Sequence, residues 1–294
     1  MNYYENIKEE LISNEVYKKI KDYSKNRSDL KTYYNVGKML SEAGKHYGEG
    51  IIKEYSKKLT NDLGKGYTQT RLKYMRQFYN ILKNSPTVSD KLSYSHYCEI
   101  IWLSKDKINY YVKITEEQNL SVRELRNKIK NNEYERLDNS TKEKLKKEEQ
   151  LQVQDLIKNP IILKTNKQIV KEKALQQLIL EDIDNFLIEL GNGFSYIKNE
   201  YKIKIGNNYN YIDLLLFNYV YNCFIVIELK VTELKKEHIG QIETYMNYID
   251  KNLKIINQDK TIGIIITKKD NKFIMEYCSD KKILNTTYEL QKYD

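Results

Sequence analysis

The stretch CFIVIELKVTELKK, residues 223–236, begins as an apolar strand and ends in charged residues. Its first five residues are all apolar, which is typical of a strand buried on both faces of a sheet. Glu228 and Lys230 follow with a spacing of two, so their side chains lie on the same face of the strand. The sequence therefore places a carboxylate beside an ammonium group at the end of a buried strand.

A second charged residue interrupts the preceding strand, NYIDLLLF, at Asp213. Only the short segment NYVYN separates the two strands, which predicts an antiparallel hairpin. An unpaired buried charge costs several kcal/mol, about the stability margin of many domains. Asp213, Glu228 and Lys230 must therefore neutralise one another, or be neutralised by a metal ion or by solvent.

The tripeptide Glu-Leu-Lys carries no weight without this context. From the composition, about six Asp/Glu-x-Lys matches are expected by chance, and the chain contains six. Only the match at Glu228 ends an apolar strand that follows a strand with an embedded Asp. The second copy, at Glu233, is the polar approach to the next helix.

Two carboxylates and a lysine in this arrangement are suited to phosphodiester hydrolysis. Carboxylate oxygens hold Mg²⁺, which bridges to substrate phosphates and stabilises charge that develops on them. A neighbouring Lys can orient the attacking water or help to deprotonate it. A buried Asp/Glu–Lys ion pair with no catalytic task is the alternative interpretation of the same residues.

An α/β pattern surrounds these strands. After Pro160 the periodicity predicts one helix over 173–191, three strands over 196–205, 210–217 and 223–229, a helix over 235–253 and a fourth strand over 260–267. The segment 138–160 is highly charged and predicts a linker or an exposed helix.

The first half of the chain has helical periodicity throughout and an excess of positive charge. Residues 1–150 carry 30 Lys and Arg against 22 Asp and Glu, whereas the remainder carries 20 against 19. This asymmetry suggests that the first half meets a polyanion, although a merely solvated basic surface fits as well. Two domains are expected for a chain of 294 residues with this composition.

Within this half, a helix, a Gly-Lys-Gly turn at 64–66 and a second basic helix form the outline of a helix-turn-helix. Thr68 is placed to cap the second helix, and Ser121 and Glu124 form a capping box farther on. Arg71, Lys73 and Arg76 on the second helix are expected to project outward and could contact DNA, although any helical hairpin with a glycine turn has a similar outline. On the later helix, Arg123 and Arg126 could grip phosphate or pair with Glu124 and Glu133. Leu72, Met75, Phe78 and Tyr79 are expected to face inward, and Trp102 is expected in the core.

Several classes of protein are excluded by composition. Cys98, Cys223 and Cys278 have no metal-binding or disulfide spacing. No window is apolar enough for a membrane span, and the first twenty residues lack the apolar core of a signal peptide. The sequence predicts a soluble, cytoplasmic protein with no membrane partner.

The spacing of Asp213 and Glu228-Leu229-Lys230 resembles the signature of the PD-(D/E)XK nuclease superfamily. More narrowly, the chain resembles the YhcG-like bacterial PDDEXK nucleases, through segments such as YYNVGKML, KGYTQTRLKYMRQFY, NLSVRELRNKI, YIDLLLF, VIELK and IGQIETYMNYID. The resemblance implies a helical, DNA-binding domain over 1–137, a linker over 138–160 and a restriction-endonuclease-like α/β domain with a mixed central sheet over 161–294.

The resemblance also implies roles for individual residues. Asp213, Glu228 and the backbone carbonyl of Leu229 would hold Mg²⁺, for which Mn²⁺ could substitute, and Lys230 would serve the attacking water. Gln241 matches a Gln-x-x-x-Tyr pattern completed by Tyr245, and could contact the site or the phosphate, or simply bond to the backbone of its helix. His238 could touch DNA, although a surface histidine is the simpler expectation.

Two departures from the superfamily pattern bear on the metal site. Ile212 stands where the superfamily name has proline. Related domains often supply a carboxylate from their first helix, and here the expected position, near Gln176, is occupied by glutamine. Glu181 is out of helical phase, and Glu200 on the first predicted strand is a further candidate.

The predicted function is Mg²⁺-dependent DNA endonuclease activity, in repair or recombination, restriction, or defence against foreign DNA. A homodimer would supply the two active sites needed to cut both strands, and a partner protein in a defence or restriction system is also expected. The alternative is a DNA-binding or assembly protein whose nuclease fold is silent or depends on a partner.

Overall fold

A computed structural model describes residues 2–19, 25–83, 89, 91–147 and 149–292 of the chain. The chain separates into two compact units, which meet in sequence between Asn131 and Asn132. The predicted domain bounds at 137 and 161 stay predictions. No helix in the described ranges is both long enough and apolar enough to cross a membrane.

The first unit is helical, as its periodicity predicts. Its described helices are α1 (Tyr3–Lys19), α2 (Lys25–Tyr47), α3 (Ile51–Leu63), α4 (Gln69–Leu82), α5 (Tyr94–Ile100), α6 (Lys105–Gln118) and α7 (Val122–Lys130). Helices α2 and α4 approach closely at Gly37, where an added Cβ would lie 2.1 Å from the Met75 carbonyl oxygen. Glycine is therefore required at this crossing.

Both helices and the glycine turn of the predicted outline are present, and so are both caps, whereas their assignment as a helix-turn-helix stays a prediction. Helices α3 and α4 flank the glycine turn, and the Thr68 hydroxyl accepts a hydrogen bond from the Arg71 backbone N–H. The Ser121 hydroxyl accepts from the Glu124 backbone N–H, and the Glu124 carboxylate accepts from the Ser121 backbone N–H. Whether this outline contacts DNA stays a prediction.

The expected inward face of α4 is confirmed for three of its four residues, because Leu72, Met75 and Phe78 are fully buried. Tyr79 is only partly buried. The prediction for Trp102 is wrong, since its side chain is 55% exposed and packs edge-on against Tyr74. A large aromatic residue can cover a core from its rim without entering it.

The second unit combines helices with six strands in its described part. In chain order they are α8 (Asn139–Lys146), α9 (Val153–Leu156), β1 (Ile161–Lys164), α10 (Glu172–Glu181), α11 (Ile183–Leu190), β2 (Phe194–Ile205), β3 (Asn208–Asn218), β4 (Cys223–Leu229), α12 (Lys236–Asn252), β5 (Asp259–Thr267), α13 (Lys272–Glu276) and β6 (Ile283–Gln291).

Two sequence predictions for this unit need correction. The single helix predicted over 173–191 is two helices, which break at Asp182, where the backbone leaves the helical region with φ −136° and ψ 48°. Strands β1 and β6 were not among the four predicted strands. They pair in parallel with each other, and β6 also pairs in parallel with β5.

The sheet is mixed, with strand order β1-β6-β5-β4-β3-β2. The predicted β3–β4 hairpin is antiparallel and β4 runs parallel to β5, as expected. One face of the sheet packs against α10 and α11, and the other packs against α12. Gly263 of β5 lies under α12, where an added Cβ would be 2.6 Å from the Met246 sulfur atom. The buried sheet thus fixes the ends of β3 and β4 between helices on both faces.

Candidate active site

The candidate site lies where β3 and β4 stop pairing with each other. Their register ends with Leu214 opposite Ile227, so the next pair outward would be Asp213 opposite Glu228. β3 itself continues to Asn208, paired only with β2 on its other side. The end of the β3–β4 ladder therefore brings the two predicted carboxylate residues face to face.

The Asp213 side chain, rather than its backbone, bonds to β4 beyond the end of the β3–β4 ladder. Its Oδ2 atom accepts a hydrogen bond of 2.8 Å from the Leu229 backbone N–H. Burial raises the pKa of the Asp213 carboxyl, against this hydrogen bond and the charge of Lys230, which lower it. The bond orients the carboxylate toward the end of β4.

Glu228 is the most deeply buried charged residue of the site, with only 2% of its surface exposed. Its Oε1 atom accepts a hydrogen bond of 2.8 Å from Lys230 Nζ, whereas its Oε2 atom is buried with no hydrogen-bond partner among the described residues. Burial raises its pKa to about 7, and the charge of Asp213 adds to the rise, against the hydrogen bond from Lys230. A buried carboxylate oxygen without a partner is rare in folded proteins and needs an explanation, such as a bound water molecule or ion or a catalytic role.

Lys230 holds its charge in this setting. Its burial lowers the pKa, but the hydrogen bond with Glu228 and the charges of nearby carboxylates outweigh that effect and raise it above its usual range. A second carboxylate, Glu172, has its Oε2 atom 3.4 Å from Lys230 Nζ. The ammonium group therefore bridges the end of β4 and the start of α10.

Glu172 is the site residue that sequence reasoning missed. It opens α10, one turn before Gln176, the position where a helix carboxylate was expected. Gln176 is itself buried and donates a hydrogen bond of 3.0 Å to the Asp213 backbone carbonyl. Residues four apart share a helix face, so the pattern Glu-x-x-x-Gln was the available signal. Glu181 instead lies 3.8 Å from Lys167.

Glu200 lies beside the site on β2. The pairs on either side of it, Asn199 with Leu214 and Tyr201 with Ile212, put it opposite Asp213. Its backbone is left-handed, with φ 45°, which is uncommon for a residue other than glycine. Its charge contributes to the raised pKa of Asp213. A ligand role for Glu200 stays a prediction.

Helix α12 adds a glutamine–tyrosine pair. Gln241 Nε2 donates a hydrogen bond of 3.0 Å to the Tyr245 hydroxyl oxygen, so the glutamine is bonded to a side chain rather than to the backbone. Burial raises the pKa of Tyr245, and the charges of Glu228 and Asp213 add to the rise. The predicted pair is therefore close enough to the carboxylates to feel their charge, and a catalytic role for Gln241 stays a prediction.

His238 is not a surface histidine. It is 6% exposed, and its Nδ1 atom accepts a hydrogen bond from the Lys235 backbone N–H, which caps α12. Burial and the charge of Lys230 both lower its pKa. Its position is explained by helix capping.

The basic residues predicted to contact DNA have varied surroundings in the first unit. Arg71 was expected to project outward, but it is partly buried. Its guanidinium group lies over the rings of Tyr33 and Tyr67 and donates a hydrogen bond to the Gly66 carbonyl oxygen. Arg76 makes a two-pronged ion pair with Glu49, and Arg126 makes one with Glu99 rather than with the expected Glu124 or Glu133.

Lys73 and Arg123 are exposed. Contact of any of these five side chains with nucleic acid stays a prediction.

A divalent metal ion is compatible with the carboxylates at the end of β3 and β4. No group of three or more His, Cys, Asp or Glu side chains arranged to hold a metal occurs in the described residues. Mg²⁺, however, is commonly bound by only one or two carboxylates together with water and substrate phosphate. The unpartnered Glu228 Oε2, next to Asp213, fits such an ion. The Leu229 carbonyl stays a predicted third ligand.

Comparison with known families matches both units of the chain. Residues 154–293 match the YhcG PDDEXK nuclease domain, and residues 9–136 match the DUF1016 N-terminal domain. The chain is also similar to the Escherichia coli (strain K12) protein named "Putative nuclease YhcG", with 23% identity over 282 residues, covering 80% of this chain and 75% of that one.

Solved structures give a more limited likeness. A repair endonuclease from Pyrococcus abyssi has 18% identity and a TM-score of 0.30, over 42% of this chain and 49% of that one. An EndoMS complex with double-stranded DNA has 18% identity and a TM-score of 0.29, over 44% and 48%. The match thus spans about half the length of each solved chain.

The two family matches occur in the same order as the helical and mixed-sheet units, and together they take in all but the ends of the chain and the segment between the matches. The Asp213, Glu228 and Lys230 constellation lies within the second match. The chain therefore carries a YhcG PDDEXK nuclease domain preceded by a DUF1016 N-terminal domain.

Proposed function

We propose that this protein is a DNA endonuclease that hydrolyses phosphodiester bonds with the help of Mg²⁺. The observation that carries the proposal is the pairing of Asp213 with Glu228, whose buried Oε2 atom has no partner among the described residues, beside the ammonium group of Lys230. The match of residues 154–293 to the YhcG PDDEXK nuclease domain supports nuclease chemistry. The choice of Mg²⁺, of DNA and of internal cleavage goes beyond the family match.

The carboxylates of Asp213 and Glu228 would hold the ion, with the Leu229 carbonyl as a further ligand and Glu172 within reach from α10. When bound, Mg²⁺ polarises a phosphoryl oxygen and offsets the negative charge of the transition state. Asp213 is preoriented by the Leu229 N–H, and Gln176 holds the Asp213 carbonyl. These bonds fix the Asp213 carboxylate and its backbone before substrate arrives.

Lys230 supplies positive charge beside the two carboxylates. Without a metal ion, the lowering of its pKa by burial is outweighed by nearby carboxylates, which raise it, and its ammonium group donates a hydrogen bond to Glu228. At this position it can orient the attacking water and offset charge on the scissile phosphate, or help to deprotonate the water once a bound ion offsets the carboxylate charges. Both roles predicted from sequence for Lys230 stay predictions.

The alternative function is DNA binding with a silent nuclease fold. It is favoured by the glutamine at position 176, where related domains often supply a carboxylate to the metal site. Glu172, one turn earlier on the same helix, weakens that argument because its carboxylate reaches Lys230. Binding without cleavage remains the outcome that would favour the alternative.

The test is cleavage of supercoiled plasmid by the full chain, with Mg²⁺ or with EDTA. Asp213→Asn, Glu228→Gln and Lys230→Met should each lower the cleavage rate at least about a hundredfold. Glu181→Gln is the matched control, because Glu181 pairs with Lys167 instead of the site. Cleavage in EDTA, or equal cleavage by all these proteins, would contradict the proposal.

A further inference from the structure

Strands β2 and β3 continue beyond the sheet as a two-stranded arm, defined here as residues 201–212. β3 pairs with β4 only from Leu214 to Asn218, whereas it pairs with β2 along nearly its whole length. The arm therefore begins where the β3–β4 ladder ends, directly next to Asp213.

The two faces of the arm differ in character. Ile203 and Ile212 are buried in the cluster formed with α12. The opposite face, called here the outer face, consists of two cross-strand pairs, Lys202 with Tyr211 and Lys204 with Tyr209. All four of these side chains are exposed, and the two tyrosines are more than half exposed. The arm is thus anchored by one face and presents lysines and tyrosines on the other.

The lysines of the outer face are not neutralised within the protein. Lys202 Nζ lies 3.8 Å from the centre of the Tyr209 ring, and Lys204 Nζ lies 5.8 Å from it. Neither ammonium group forms an ion pair with a carboxylate of the described residues. Two positive charges and two exposed aromatic rings therefore lie on one face of the arm, with the Lys202 ammonium group against one side of the Tyr209 ring.

Lysines next to exposed aromatic rings form the combination that binds single-stranded nucleic acid. Ammonium groups contact the phosphates, while the rings stack on bases, which is possible when those bases are not already stacked in a duplex. Tyr211 precedes Asp213 by two residues, about 7 Å along a strand. A strand lying on the outer face would therefore lead directly to the candidate site.

We propose that the outer face binds an unpaired stretch of the substrate nucleic acid next to the scissile phosphate. Lys202 and Lys204 contact its backbone, and Tyr209 and Tyr211 stack on its bases. The inference rests on the proposed function for its choice of substrate and adds the strand structure that the site accepts: a region with unpaired nucleotides on the arm side of the cut.

Binding is measured with the full chain in EDTA, so that the result does not depend on cleavage. The probes are a fluorescent 20-nucleotide oligo(dT) and a hairpin duplex of matched length, followed by anisotropy. Wild-type protein should bind the single strand more tightly than the duplex. Tyr209→Ala/Tyr211→Ala should weaken single-strand binding about tenfold or more, and the double Phe variant should retain it. Lys202→Ala/Lys204→Ala should reduce the slope of log affinity against log salt by about 1 to 1.5.

The matched controls are Tyr219→Ala and Lys260→Ala, exposed residues at the opposite end of β3 and β5. Both should bind like wild type, and melting curves establish that every variant is folded. Equal single-strand affinity of wild type and the double tyrosine variant, or a wild-type preference for the duplex, would overturn the inference. Loss of cleavage with retained, arm-dependent binding would instead overturn only the proposed nuclease function.

Discussion

The Oε2 atom of Glu172, at the start of α10, lies 3.4 Å from Nζ of Lys230, just beyond the end of β4. Lys230 is thereby shared between a buried carboxylate on its own segment and an exposed carboxylate on a helix 58 residues away in sequence. The contact ties α10 to the end of β4 and places the Glu172 carboxylate against the ammonium group that also binds Glu228.

Glu172→Gln should therefore lower cleavage while leaving the fold intact. Side chains that support metal ligands typically contribute about 10- to 100-fold to metal affinity or activity. We expect a rate loss in that range at low Mg²⁺, partly recovered at high Mg²⁺, in a plasmid cleavage titration. Glu181→Gln on the same helix should behave like wild type. A Glu172→Gln protein with an unchanged Mg²⁺ titration would exclude this role.

Glu228→Gln should stabilise the metal-free protein at alkaline pH. Because the pKa of Glu228 rises from its usual 4.5 to about 7 on folding, its protonated form is favoured in the folded state. Its contribution to stability is complete below pH 4.5 and is lost as the pH rises through 7.

In EDTA at pH 8, the free energy of unfolding of the variant should exceed that of wild type by about 1 to 3 kcal/mol. At pH 5 the two free energies of unfolding should be nearly equal. Added Mg²⁺ should stabilise wild type more than the variant. Thermal and urea unfolding at the two pH values measure both effects. A variant that is less stable than wild type at pH 8 in EDTA would contradict the prediction that the ionised Glu228 carboxylate destabilises the metal-free protein.

Gln176→Leu should destabilise the second unit. Gln176 is buried and donates a hydrogen bond to the Asp213 carbonyl, which the variant would leave without that donor. Loss of such a partner costs about 1 to 3 kcal/mol. The neighbouring Gln177 is exposed, so Gln177→Leu should change stability by no more than about 0.5 kcal/mol. Similar urea midpoints for the two variants would show that the hydrogen bond from Gln176 to the Asp213 carbonyl contributes little to stability.

Gly37→Ala should destabilise the first unit, because the added methyl group would overlap the Met75 carbonyl across the α2–α4 crossing. Overpacking of this kind costs about 1 to 3 kcal/mol, and here the obstacle is backbone that cannot rotate away. Gly44→Ala on the same helix meets only ordinary contacts at 3.5 Å or more and should be neutral or stabilising. Thermal unfolding followed by circular dichroism compares the two variants. Equal melting temperatures would contradict the close approach of α2 and α4 at Gly37.

The hairpin that carries Asp213 and Glu228 could be predicted because both strands are strongly apolar and are joined by only five residues. In such strands a charged residue is conspicuous, and the antiparallel register then determines which residues face each other. Strand β6, ILNTTYELQ, mixes polar and apolar residues, and β1 has only four residues, so neither stands out from loop sequence.

Glu172 escaped prediction for a different reason. It lies at the first residue of α10, where helix boundaries read from sequence are least certain, and its partner Lys230 comes close only after the sheet and helix have packed together. The burial of His238 and the exposure of Trp102 are likewise consequences of tertiary packing. Residue type alone favoured the opposite outcome in each case.

A divalent metal ion held jointly by Asp213 and Glu228 would be seen directly by the anomalous scattering of Mn²⁺ in a crystal of the full chain soaked with that ion. We expect one strong peak within coordination distance of Glu228 Oε2 and the Asp213 carboxylate, and no such peak in Glu228→Gln crystals. A wild-type crystal with Mn²⁺ bound only elsewhere, from protein that cleaves DNA with Mn²⁺, would contradict this metal site.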